Sequence, residues 1–190
     1  MPMKPQIAVV GDTHIKRGSK KWKIVESLGQ RLVDAGYRIV TGGLGDLPEA
    51  ISKGARASRE YHNGSLIAIV PGFDPEVARE VADIVIATGM DQARNVIVAN
   101  SDAIIAIGGG AGTLSEIAHA WSLKRLILAF DVPGWSGKLA GMAIDSRRRI
   151  PKLPHDRIYK VRTPEEALRC LRKQLPLYRK RHSGIVVRRK

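Results

Sequence analysis

The sequence predicts an α/β domain of Rossmann-like type, a doubly wound parallel sheet with helices on both faces. Three observations predict it. Short apolar runs alternate along the chain with stretches of helical spacing. The runs are continuously apolar rather than alternating, as strands buried on both faces are. Several of them end in glycine-containing turns that lead into a helix, the place where such folds bind ligands.

Ile7–Gly11 (IAVVG) reads as the first buried strand. Lys20 to Ala35 has helical spacing, with Trp22, Val25, Leu28, Leu32 and Val33 able to share a face, and Gly36 ends it. Tyr37–Val40 is the second strand, followed at once by Thr41-Gly42-Gly43. Leu47 to Tyr61 reads as a helix with Pro48 in its first turn. Ser65–Val70 and Ala82–Gly89 are the third and fourth strands, Asp91 to Asn100 a short helix, and Asp102–Gly110 the fifth strand. Thr113 to Leu123 is helical and Arg125–Phe130 is the sixth strand. Asp131–Pro154 has little periodicity. Arg157–Val161 reads as a last strand, and a helix runs from Thr163 to about Gln174, with Thr163 as N-cap and Glu166 completing a capping box.

The chain has 190 residues, enough for one core, and the reading is a single domain over 1–175 with a basic tail over 176–190. Hydrophobic residues make up 44% and aromatics 5%, so the core is aliphatic. One cysteine, Cys170, excludes an intramolecular disulfide and a multi-cysteine metal site. His14, His62, His119, His155 and His182 have no ligand spacing, so no metal site is expected. No signal-peptide layout and no bilayer-length apolar run is present, and a cytoplasmic protein without membrane contact is expected. The net charge of +14 is uneven: residues 1–142 carry 16 Lys/Arg against 14 Asp/Glu, residues 143–190 carry 16 against 4.

Three turns after strands are candidates for the site: Gly11-Asp12-Thr13, Thr41-Gly42-Gly43, and Gly108-Gly109-Gly110-Ala111-Gly112-Thr113. Glycines let the backbone approach a ligand, and a helix start supplies free N–H groups and the positive dipole end, so the combination suits a phosphate. Thr113 can cap its helix or donate to a phosphate oxygen. There is no GxxxxGK[ST], which disfavours a P-loop NTPase, and no GxGxxG after the first strand, which disfavours NAD and FAD. Glu116 lies one helical turn beyond Thr113, where it could bind ribose hydroxyls or act as a general base on water. Arg94, within GMDQARN, could reach the same site, because an Arg flanked by apolar residues needs an anionic partner.

Gly109–Glu116 (GGAGTLSE), together with the TGG turn and the ATGM and ARN segments, resembles the LOG-like family of Rossmann-fold proteins over Ile7 to about Phe130. The pattern at Ala87–Glu116 is most similar to the branch that contains molybdenum-cofactor carrier proteins. The resemblance implies a nucleoside 5′-monophosphate phosphoribohydrolase that needs no cofactor for catalysis, or a non-catalytic carrier of a nucleotide or molybdopterin-type cofactor in the same pocket. It implies that Gly109, Gly110, Gly112 and Thr113 hold the phosphate, and that Glu116, with Arg94, is catalytic. It also implies a homodimer. Gly108 stands where the hydrolases have proline, and Arg94 is displaced by one residue from their arginine.

Arg147-Arg148-Arg149, Arg179-Lys180-Arg181 and Arg188-Arg189-Lys190 form basic clusters beyond the recognised core. They raise nucleic-acid binding through residues 147–190 as an alternative function. Only Tyr159 and Tyr178 supply aromatic faces in that quarter.

Overall fold

The computed structural model describes residues 3–178. The clusters at 179–181 and 188–190, and most of the expected 176–190 tail, lie outside the described residues. Among the described residues, seven strands form one wholly parallel sheet: β1 (Gln6–Gly11), β2 (Arg38–Thr41), β3 (Leu66–Val70), β4 (Ile84–Ala87), β5 (Ala103–Ile107), β6 (Leu126–Phe130) and β7 (Tyr159–Val161). Their order is β4-β3-β2-β1-β5-β6-β7. All seven fall on the predicted apolar runs.

The helices are α1 (Lys20–Asp34), α2 (Asp46–Arg56), α3 (Asn95–Ala99), α4 (Ala111–Ser122), α5 (Trp135–Leu139) and α6 (Pro164–Gln174). Alternate strand residues feed two cores. Ile7, Val9, Ile105, Ile107 and Phe130 pack on the face that carries α1, α2 and α6. Ala8, Val10, Ile104, Ala106 and Ile127 pack on the face that carries α3 and α4. The central strands are buried on both sides, which is why they read as unbroken apolar runs. β4 is different: it is an edge strand, and Ile84 and Ile86 remain exposed.

Hydroxyl caps start two of the helices, and the sequence predicts the one at Thr163. The Ser19 hydroxyl accepts from the Trp22 N–H at 3.2 Å at the start of α1. Thr163 caps α6, accepting from the Glu166 N–H, while Glu166 accepts from the Arg162 N–H at 2.7 Å. Other boundaries shift. α2 stops at Arg56, not Tyr61, because the Ser58 hydroxyl accepts from the Glu60 N–H and itself donates to Asp34, turning the chain away. The expected helix over 91–100 is a 3-10 turn (Asp91–Arg94) followed by α3. α4 opens at Ala111, two residues before the expected start.

The aperiodic stretch after β6 contains α5, whose Ser136 is fully buried. Its continuation is held by Arg149, which is 5% exposed. Arg149 donates to the carbonyls of Trp121 and Arg125, lies 3.6 Å from the centre of the Trp121 ring, and pairs with Asp156 at 2.7 Å. Tyr178, also buried, donates its hydroxyl to Asp156. Arg149 is therefore part of the interior rather than of a basic surface, and Arg147 is paired with Asp145.

Candidate functional site

From β1 the chain winds outward through β2, β3 and β4, then returns to the other side of β1 with β5. The strand order thus reverses between β1 and β5, and the crevice beyond their carboxyl ends is where open α/β sheets bind ligands. A cleft of about 380 Å³ lies there. Gly11, Asp12 and Thr13 form its β1 wall, Gly42 its β2 wall, and Gly110, Gly112 and Thr113 its α4 wall, with Arg94 and Glu116 at its base. Thr41, Gly43, Gly108 and Gly109 do not line it.

The turn after β5 divides into two halves. Gly108 and Gly109 are buried. Their carbonyls accept from the Ser136 and Trp135 N–H groups. Their own N–H groups donate to the Ser136 hydroxyl at 2.7 Å and to Asp12 Oδ1 at 2.6 Å. Gly110, Ala111 and Gly112 are exposed. Their N–H groups and that of Thr113 have no acceptor among the described residues, as at any uncapped helix start. The Thr113 hydroxyl does not cap α4: it donates to the Gly11 carbonyl at 3.1 Å and so ties α4 to β1.

The turn after β2 is closed on itself. Gly43 donates its N–H to the Thr41 hydroxyl. Gly42 is covered by the Arg94 guanidinium, which would lie 2.7 Å from a Cβ placed there. Arg94 approaches Glu116 Oε1 at 3.4 Å, with side chains 13% and 8% exposed. Burial pushes the Glu116 carboxyl up to about 7, Arg94 opposing the shift only in part, and burial lowers the Arg94 pKa. The Arg94 Nε is buried without a partner among the described residues. A carboxyl poised near neutrality can serve as acid, base or hydrogen-bond donor.

Neighbours not singled out in the sequence make this meeting possible. Asn95 donates to Ser115 at 2.7 Å and to Gln92 at 3.2 Å, and Ser115 donates to the Gly112 carbonyl. This fastens the turn bearing Arg94 to the helix bearing Glu116. Lys21, in the first turn of α1, pairs with Asp12. Asn95 and Ser115 lie inside the ARN and TLSE segments, so their signal was present; Lys21 and Ser136 had none. Among the described residues no group of three or more His, Cys, Asp and Glu is placed to hold a metal, and no helix is long and apolar enough to cross a membrane.

A molybdenum cofactor binding protein from the phototrophic bacterium Rippkaea orientalis superposes with a TM-score of 0.69 at 28% identity, over 90% of this chain and 96% of that one. A structural-genomics target superposes with a TM-score of 0.74 at 26% identity, over 90% and 99%. An uncharacterized protein of Archaeoglobus fulgidus is 40% identical over 129 residues, 67% of this chain and 81% of its own length. The model of the SLOG cluster4 family matches residues 4–168, and the chain belongs to that family.

Proposed function

We propose that the cleft binds a phosphorylated, nucleotide-like ligand, its phosphate on the α4 N-terminus and the rest of the molecule toward Glu116 and Arg94. One observation carries this reading: the N–H groups of Gly110, Ala111, Gly112 and Thr113 have no acceptor among the described residues and open beside a buried carboxyl–guanidinium pair. The helix dipole and these donors favour an anion there. Kinship with the SLOG family and with a molybdenum cofactor binding protein supports a ligand of nucleotide or molybdopterin type.

Two uses of such a ligand follow. In the first the protein holds it. A phosphate nearby disfavours ionisation of a carboxyl that already titrates near 7, so Glu116 stays protonated and donates a hydrogen bond. In the second, ionised Glu116 draws a proton from water as the water oxygen adds to C1′ of a nucleoside 5′-monophosphate, the N-glycosidic bond breaks, that proton passes to the departing base nitrogen, and free base and ribose 5-phosphate leave. The two uses differ in the protonation state of Glu116 while the phosphate is in place.

Chromatography of AMP after incubation with the wild type and with Glu116→Gln separates the two. Free adenine from the wild type alone supports hydrolysis. A thermal shift with AMP or a pterin phosphate, without any product, supports holding. Absence of both sinks the phosphate reading. The homodimer implied by the resemblance has a surface to form on, where Phe73, Ile84, Ile86 and Met90 are exposed around the β4 edge. Sedimentation velocity of the wild type against Ile86→Lys tests it.

A further inference from the structure

We infer that Asp12 is a specificity-determining residue: its carboxylate stands where a second phosphate would sit, and so restricts the cleft to ligands with a single phosphate. The inference rests on the reading that a phosphate binds at the start of α4.

The backbone from Gly108 to Thr113 offers a row of N–H donors leading out of β5 into α4. In a site for a diphosphate the whole row would be available, as it is when a pyrophosphate lies across a strand–turn–helix junction. Here the inner half is filled by the protein. Ser136 takes the Gly108 N–H at 2.7 Å and Asp12 takes the Gly109 N–H at 2.6 Å. The second is a charge-assisted bond to an anionic oxygen, the type that a phosphate would make. The fit is close, because a Cβ on Gly108 would run into the Asp12 carboxylate. The other Asp12 oxygen pairs with the Lys21 ammonium. Asp12 is therefore held from both sides, by the β5 turn and by the first turn of α1.

Asp12 also lines the cleft. A first phosphate on Gly110 to Thr113 meets free donors. A second phosphoryl group reaching inward along the row would meet a carboxylate and no free N–H. Like-charge contact of this kind rejects a ligand strongly. The chemistry selected is a phosphomonoester, with diphosphates and dinucleotides excluded.

Amide shifts of ¹⁵N-labelled full-length protein, titrated with inorganic phosphate and with pyrophosphate, test this. In the wild type, phosphate should shift the Gly110 and Gly112 amides and pyrophosphate should bind roughly tenfold more weakly. Asp12→Ala should raise pyrophosphate affinity relative to phosphate by about tenfold and bring the Gly109 amide into the set that shifts. Asp12→Asn, which keeps an acceptor for Gly109 and loses only the charge, should narrow the preference without moving the Gly109 amide, and it carries the test if Asp12→Ala does not fold. An unchanged pyrophosphate-to-phosphate ratio in the variants overturns the role of Asp12 while leaving the phosphate site in place. No shift at Gly110 or Gly112 with either probe, in any of the three proteins, overturns the phosphate reading and this inference with it.

Discussion

The turns after β2 and β5 look alike in sequence, each a strand running into adjacent glycines, yet they use glycine for opposite purposes. In the β2 turn glycine makes room for the protein. A Cβ on Gly43, at φ +75, would come within 2.6 Å of Val70 Cγ1, and one on Gly42 would strike the Arg94 guanidinium. In the outer β5 turn glycine makes room for something else: a Cβ on Gly110 would have nothing within 4 Å. A glycine-rich turn is a site only where the space above it is left empty.

Substitutions can break this contrast. The largest effect is expected at Gly43→Ala, where a left-handed backbone and overpacking against Val70, Ala68 and Ala78 together cost about 4 kcal/mol. Urea unfolding measures it, and a loss below about 1 kcal/mol would mean the β2 turn is as open as the β5 turn.

Next comes the buried pair between the turns. The folded chain favours neutral Glu116, so between pH 4.5 and about 7 it keeps a proton that the unfolded chain has released. Stability should therefore fall as pH rises through that window, by on the order of 3 kcal/mol from this group. Glu116→Gln should flatten the slope, read as the difference between the two proteins in urea midpoints across pH.

A smaller effect is expected for Gly42→Ala, about 1 kcal/mol, because the far end of the Arg94 side chain can move aside. As it moves, Glu116 loses the opposing charge of Arg94 and its pKa should rise further, which a carboxyl ¹³C titration would show. The smallest is Gly110→Ala, within about 0.5 kcal/mol of wild type, with weakened ligand binding as its one consequence.

What the sequence made legible was periodicity and local chemistry. Seven strands, the α1 face and the Thr163 cap all follow from residues within a few positions of one another. The β5 turn and Glu116 were legible because strand, glycines and helix are contiguous. The rest depends on distance. Asp12 meets Gly109 97 residues away and Ser136 meets Gly108 28 residues away, and neither partnership leaves a spacing signal. The short α5 and the 3-10 turn before α3 are shaped by what they touch rather than by propensity. Arg149 looked like its two exposed neighbours in a basic run, and its contacts with Trp121, Arg125 and Asp156 distinguish it.

The division of the β5 turn also has a time signature. The Gly108 amide is locked to a fully buried serine on α5, whose hydroxyl in turn donates to the Phe130 carbonyl of β6. Its hydrogen can exchange with solvent only when the junction of two central strands opens, an event governed by the deeper stability of the domain. Two residues on, the exposed Gly110 amide has no such lock and should exchange in the native state without any opening. Over three consecutive glycines the protein passes from a slow clock to a fast one, and a bound phosphate would reset only the fast one.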